Sequence, residues 1–180
     1  MKKIIFILLV LVNINGYAFE GINDLSFKEE PFINPKIIED MSTWISDTGD
    51  QVVAINLRDS QDSNRYYCDY KVRESEDGFP YVEYRREEGE GGFGYQYIGE
   101  LEPNTHVVKV YNNGGGSYTF VELMFIEILK SNSITYDIDD HKIKKNTERT
   151  LLHKIGSMPV KGRGYTSFYV EDGQLYKAKY

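Results

Sequence analysis

The chain has 180 residues, 41% of them hydrophobic, 14% aromatic and 27% charged, with a formal net charge of −7 and a single cysteine. That profile suits one domain and excludes a disordered, collagen-like, disulfide-dense or multi-span membrane protein. The acidic balance speaks against nucleic acid and anionic lipid, which are recognised through basic patches, and leaves a basic protein as the better-matched partner.

Lys2 and Lys3 precede an apolar run from Ile4 to Val12, and Gly16-Tyr17-Ala18 supplies small residues around a cleavage point. This is the layout of a secretory signal peptide. Asn13 and Asn15 interrupt the run too early for a spanning helix, which needs about 20 apolar residues. The expectation is a chain exported to the periplasm or secreted after cleavage near Ala18, with no membrane span in the mature part. Losing Lys2 and Lys3 takes the net charge from −7 to −9. Cys68 has no second cysteine to pair with, so stability must come from a buried core.

Residues 19–34 read as an irregular N-terminal segment, and 35–180 as a single β-rich domain. Asn34 and Pro35 form an N-cap and first helical position, and Ile37, Ile38, Met41, Trp44 and Ile45 recur at helical spacing. From Gln51 the period becomes two, starting with Val53, Ile55 and Leu57. The clearest strand places Tyr66, Cys68, Tyr70 and Val72 on one face, and Arg65, Asp69, Lys71 and Arg73 on the other. Asp77-Gly78 is a turn, followed by a strand around Val82 and Tyr84 and an aromatic strand carrying Phe93, Tyr95 and Tyr97. His106 to Tyr111 is the next strand, Asn112 to Gly116 a sharp loop, and Tyr118 to Leu129 a long central strand with Ile134 to Ile138 as a short partner. His141 to Arg149 reads as a polar loop, and Asp172-Gly173 as the turn of a C-terminal hairpin. The fold class expected is mainly β: a single antiparallel β-sandwich or barrel with one short N-terminal helix.

Motifs for chemistry are weak. Gly115-Gly116-Ser117-Tyr118-Thr119 lacks the closing glycine of a nucleophile elbow and leads into a strand rather than a helix. His106, His141 and His153 stand far apart. Asp137-Ile138-Asp139 begins like a calcium loop, but Lys142 replaces its glycine. No cofactor and no metal are expected. Glu83, Glu87, Glu88, Glu90 and Glu100 surround the most aromatic stretch and offer an acid–base pair for glycan hydrolysis.

The tyrosines stand out: nine of the chain's fifteen fall between Tyr66 and Tyr118. Alternation turns Tyr67 and Tyr81 onto faces otherwise made of charged residues. Tyrosine beside Arg, Gly, Ser and Asn is the composition of binding surfaces. Tyr67, Tyr81, Tyr95, Tyr97, Tyr111 and Tyr118 are the binding-surface candidates, and no residue is assigned a catalytic role. The sequence reading is an exported, soluble, non-enzymatic binding protein, such as an inhibitor or immunity protein against an envelope-acting enzyme or toxin. The partner would be a basic protein. The alternatives are a carbohydrate-binding or glycan-hydrolysing domain and a structural envelope protein.

Overall fold

A computed structural model describes residues 25, 31–42, 52–60, 66–75, 77–87, 90–101, 104–161 and 166–178. Its main body is an antiparallel meander of β2 (Lys71–Glu74), β3 (Pro80–Arg85), β4 (Gly92–Leu101), β5 (Thr105–Asn113), β6 (Thr119–Asp137) and β7 (Lys142–Pro159). The short strand β1 (Ala54–Asn56) pairs with β7, completing a seven-stranded open sheet of order β1-β7-β6-β5-β4-β3-β2. A separate hairpin joins β8 (Phe168–Glu171) to β9 (Gln174–Lys177) around Asp172 and Gly173, both at positive φ. The fold is therefore mainly β and antiparallel. The sheet does not close into a barrel, and the second sheet is a hairpin covering part of one face.

The helix α1 (Pro35–Met41) starts as the sequence predicts. Asn34 Oδ1 accepts from the Lys36 N–H at 3.0 Å, and Pro35 occupies the first turn. It buries Ile37, Ile38 and Met41 against Val82, Phe93, Tyr95, Val108, Val110, Met124 and Leu152, the apolar side of the sheet. This is the helix face. Beyond Ser42, Trp44 and Ile45 lie outside the described residues, as do the expected signal at 1–18 and residues 19–24.

β1 and β2 occupy opposite edges of the sheet. β1 is followed by one helical turn, α2 (Leu57–Ser60). Tyr66, Cys68 and Tyr70 then pack on the helix-face core, while Tyr67 and Asp69 point to solvent. The expected alternation holds from Tyr66 to Tyr70 but not at Val72, which is exposed, and of the expected strand only Lys71–Glu74 pairs; Arg65 lies outside the described residues. Alternation records which side chains are buried, and here one edge of core suffices to impose it without a ladder. The Cys68 thiol donates to Asn34 Oδ1 at 3.1 Å, and burial pushes its pKa up, which keeps it protonated and inert.

Two further expectations are corrected. Of the expected loop His141 to Arg149 only His141 is a turn residue, at φ +50; Lys142 to Arg149 is the first half of β7, paired with β6 from Asp137↔Lys142 to Ser131↔Arg149. Ile134 to Asp137 is not a separate partner strand but the end of β6 itself. On the other side of the sheet, the hairpin face, Ile98, Val107 and Leu123 pack under Phe168. The glycine at 99 (φ +151) leaves room there for Val170, whose Cβ would stand 2.7 Å from any side chain at that position.

Several bonds tie the helix to the sheet, among them Lys154 Nζ of β7 to the Met41 carbonyl at 2.7 Å, and one guanidinium gathers the most of them. Arg86 Nε and Nη2 donate to Glu39 Oε1 of α1, Nη2 also to Asn112 Oδ1, and Nη1 to the Asn113 and Glu90 carbonyls at 2.8 and 3.1 Å. The Tyr84 hydroxyl donates to the second oxygen of Glu39. Removing one partner strands the other in a mostly enclosed site. Glu39→Ala and Arg86→Ala should each lower stability by about 2–3 kcal/mol in urea unfolding, and the double variant by clearly less than the sum.

Candidate functional site

The pleat sends Tyr81, Glu83 and Arg85 of β3 to the hairpin face, while Val82 and Tyr84 point to the core. On β4, Gly92 and Gly94 fall on that same hairpin face opposite Arg85 and Glu83. Phe93 and Tyr95 fill the other face. The Tyr81 ring covers Gly94, whereas Gly92 stays uncovered and, with Gly91 and Phe93, floors a groove of about 560 Å³. Tyr81 and Tyr111 wall it, with Glu83, Arg85, Glu87, Asn113 and Thr119 around the rim. Gly91, at φ +76, closes one end so tightly that a Cβ there would lie 2.1 Å from the Asn113 carbonyl oxygen. A second hollow of about 370 Å³ continues past Glu83 and Arg85 to Asp69, Lys71 and Arg73.

The tyrosine wall is held in place from behind. The Tyr81 ring lies over Gly94, where a Cβ would meet its Oη at 2.4 Å, and stands edge-on to Tyr111 at 5.2 Å and 87°. The Tyr111 hydroxyl donates to Gln96 Oε1 at 3.2 Å, and Gln96 Nε2 donates to Ser75 Oγ at 3.1 Å. Lys109 Nζ sits 5.0 Å from the Tyr111 ring centroid and donates to the Thr166 carbonyl at 2.8 Å. Burial lowers the Lys109 pKa, partly offset by Asp77. Burial, helped by Glu83, pushes the Tyr81 hydroxyl up to about 12. The Tyr111 hydroxyl is raised by burial and then by Tyr81 and Asp77. Both phenols are therefore neutral at physiological pH, and they serve as rings and hydrogen-bonding tips rather than as bases.

Of the six sequence candidates, the groove unites Tyr81 and Tyr111. Tyr118, 50% exposed, is adjacent in the chain to rim residue Thr119 and meets Phe120 edge-on at 4.7 Å. Tyr67, 70% exposed, donates to Asp69, which lines the second hollow. Tyr95 and Tyr97 are a correction. They are core residues, 1% and 6% exposed, whose hydroxyls meet the Ile33 carbonyl at 2.7 Å and His106 Nδ1 at 3.3 Å. The pleat places them opposite Gly94 and Gln96, towards the helix.

Sequence reasoning passed over Arg85, Gly92, Gly94, Asn113 and Thr119. The signal for the first three was available: glycines two apart on one face of an aromatic strand, facing a strand whose alternate face carries Tyr81, Glu83 and Arg85. Among the acidic residues, Glu83 pairs with Arg73 at 2.7 Å on the hairpin face. Glu100, opposite buried His106, lies on the helix face, so these two carboxylates do not converge. Asp137, read as a start of a calcium loop, accepts the Asp139 and Asp140 N–H groups at 3.0 Å and pairs with Lys144 at a hairpin tip. Compared with protein-family models, curated proteins and solved structures, the chain finds no match in any of the three.

A side chain at Gly94 must displace the Tyr81 ring. Gly94→Ala should cost about 1–3 kcal/mol in urea unfolding and alter the near-ultraviolet tyrosine dichroism, whereas Gly116→Ala, with open space around it, should change stability by under about 0.5 kcal/mol. The raised tyrosine pKa makes a second prediction. An unfolded tyrosine ionises near its ordinary value of 10.0 and the folded Tyr81 near 12, so the unfolded state gives up its protons first. This share of stability is fully present below pH 10 and drains away as the pH rises through 12. Urea midpoints measured from pH 9 to 12 should fall across that window, and less steeply in Tyr81→Phe.

Proposed function

We propose that the protein is exported after signal cleavage near Ala18 and acts as a non-enzymatic binding protein, gripping a partner protein in the groove walled by Tyr81 and Tyr111. The observation that carries this reading is the uncovered Gly92 floor beside two braced tyrosines, Tyr81 and Tyr111. A groove preorganised in this way loses little side-chain entropy when occupied. Its rim mixes Arg85 with Glu83 and Glu87, so recognition there runs through rings and hydrogen bonds, not net charge. The overall acidity acts at longer range, favouring encounter with a basic protein such as an envelope-acting enzyme or a toxin. An inhibitor or immunity role suits a chain with this charge and this groove.

A glycan is the second reading, supported by two tyrosine rings beside the uncovered Gly92, where a sugar ring can lie. Its hydrolytic form is less well supported, because Glu83 is held by Arg73 and Glu100 belongs to the opposite face.

Tyr67 and Arg85 are exposed, so their substitution tests binding without disturbing the core. Tyr81→Ala is a poor test, since its ring is packed on Gly94 and Tyr111. In pull-downs from envelope extract, the wild type should recover one basic protein at stoichiometric level. Tyr67→Ala and Arg85→Ala should each weaken its capture about tenfold while leaving stability within about 0.5 kcal/mol. Unchanged capture by both variants, or retention of a labelled glycan in place of a protein, overturns the protein-partner reading.

A further inference from the structure

The groove and the hollow beside it meet at Glu83, Tyr84 and Arg85, which line both. Most polar groups around that junction are already engaged. The Tyr111 hydroxyl goes to Gln96, while Asn113 Nδ2 donates to Thr119 Oγ1 at 3.2 Å and its Oδ1 accepts from the Gly115 N–H at 2.8 Å. Glu83 is held by Arg73, and Arg86 by Glu39, Asn112 and two backbone carbonyls. Two groups next to the uncovered Gly92 have nothing to bond among the described residues. The Tyr81 hydroxyl lies over Gly94 without a hydrogen-bond partner, and Arg85 is exposed without an acidic one. A Cβ at Gly92 would stand 3.9 Å from Arg85 Cγ, so that guanidinium starts beside the open floor. Arginine only donates, and a neutral tyrosine has a proton to give.

We infer that the group taken over Gly92 is a carboxylate of the partner, held by Arg85 and by the Tyr81 hydroxyl. The inference rests on the binding reading above and names the chemistry of its anchor. Donors without acceptors on the protein call for an acceptor on the ligand, and a carboxylate is the one whose paired oxygens match a guanidinium. Local charge agrees. The adjoining hollow is lined by three basic residues, Lys71, Arg73 and Arg85, against two acidic ones, Asp69 and Glu83, in a chain whose net charge is −7. Glu87 on the groove rim stands in solvent, where salt screens its repulsion. Spacing agrees as well. Gly92 and Gly94 are two residues apart on β4, about 7 Å along an extended strand. A carboxylate lying over Gly92 spans that distance, one oxygen accepting from the hydroxyl and the other from the guanidinium at about 2.8 Å each.

A cationic side chain fits this place less well. It would meet Arg85, and the Tyr111 ring is already faced by Lys109 Nζ at 5.0 Å. The partner's overall charge and its anchor are separate matters. Long-range attraction to an acidic chain selects a basic protein, whereas the donors beside Gly92 select which of its residues enters. A basic protein offers carboxylates on its acidic side chains and at its C-terminus, and short probes tell the two apart.

The test needs no identified partner. In amide chemical-shift titrations at neutral pH and fixed ionic strength, N-acetyl-glutamate methylamide, which carries a side-chain carboxylate, should bind with a Kd of about 1–10 mM. It should shift the Arg85, Gly92 and Gly94 resonances. N-acetyl-glutamine methylamide, its neutral isostere, should bind about tenfold more weakly. N-acetyl-alanine, with only an α-carboxylate, represents the chain terminus, and the tighter of the two acids identifies the source. Arg85→Ala should weaken the better probe about tenfold and Arg85→Lys about threefold, since lysine keeps the charge and loses the paired geometry. Tyr81→Phe should weaken it about threefold while leaving the unfolding midpoint at neutral pH unchanged, because that hydroxyl bonds nothing in the free protein. Equal binding of the acid and its amide overturns the inference, as does binding that Arg85→Ala leaves unchanged, or a preference for N-acetyl-lysine methylamide. No shift by either acid up to about 50 mM overturns it too. A protein captured from envelope extract by the wild type and lost in Tyr67→Ala, yet held as tightly by Arg85→Ala and Tyr81→Phe, overturns the anchor and leaves the binding reading standing. Carboxylate binding with no protein captured does the reverse.

Discussion

The Arg86 guanidinium stands where the end of β3, the turn before β4, the end of β5 and the helix all meet, and it donates to a carboxylate, a side-chain amide and two backbone carbonyls. Burial penalises its charge, and the bonds to Glu39 more than offset that penalty, so it remains an ion in a mostly dry setting. A pair of this kind adds less net stability than well-packed apolar side chains of the same size would. What it supplies is position. Arg86 is the residue after Arg85, its Nη1 holds the carbonyls of Glu90 and Asn113, and Gly91 is pressed against that second carbonyl. One cluster of hydrogen bonds therefore links the closed end of the groove to the seat of the helix, which Lys154 Nζ also holds through the Met41 carbonyl at 2.7 Å.

From that cluster the two faces of the sheet take different roles. The helix face is filled by large side chains from β3, β4, β5 and β6 and covered by α1 and by the segment around Cys68. The hairpin face is filled under Phe168 and under the Tyr81 ring at Gly94, and left open where Gly92 stands. The same strand, β4, is thus crowded on one side and open at one end of the other. Glycine weakens a strand, and its tolerance here follows from neighbours paired along both edges and a solid aromatic face below. The tyrosines beside Gly92 are then held by Gln96, Ser75 and Lys109, groups buried or half-buried behind them.

Hydrophobic alternation made much of this architecture legible. Strands β3, β4 and β5, the helix cap at Asn34 and the turns at Asp77-Gly78 and Asp172-Gly173 all stand where the residues place them. It failed in two informative ways. At Tyr66 to Tyr70 it reported burial correctly and pairing wrongly, because a segment can lay alternate side chains on a core without belonging to a sheet. At Lys142 to Arg149 the reverse happened. That stretch pairs along its length but lies beyond the core, so few apolar residues mark its period.

The groove shows the same division. Tyr81 and Tyr111 were legible as candidates, and so was the outward turn of Tyr67. Tyr95 and Tyr97 were not separable from them, because a tyrosine's composition says nothing of which side of its strand is covered. By itself, the sequence determined the β class, the helix start, the lack of a disulfide partner for its one cysteine and the even spacing that commits each strand to two unlike faces. Only the tertiary structure decided which face the helix would cover, and with it which tyrosines remain at the surface. The reason is physical: alternation is a local property of one strand, whereas burial depends on what packs against it from distant parts of the chain.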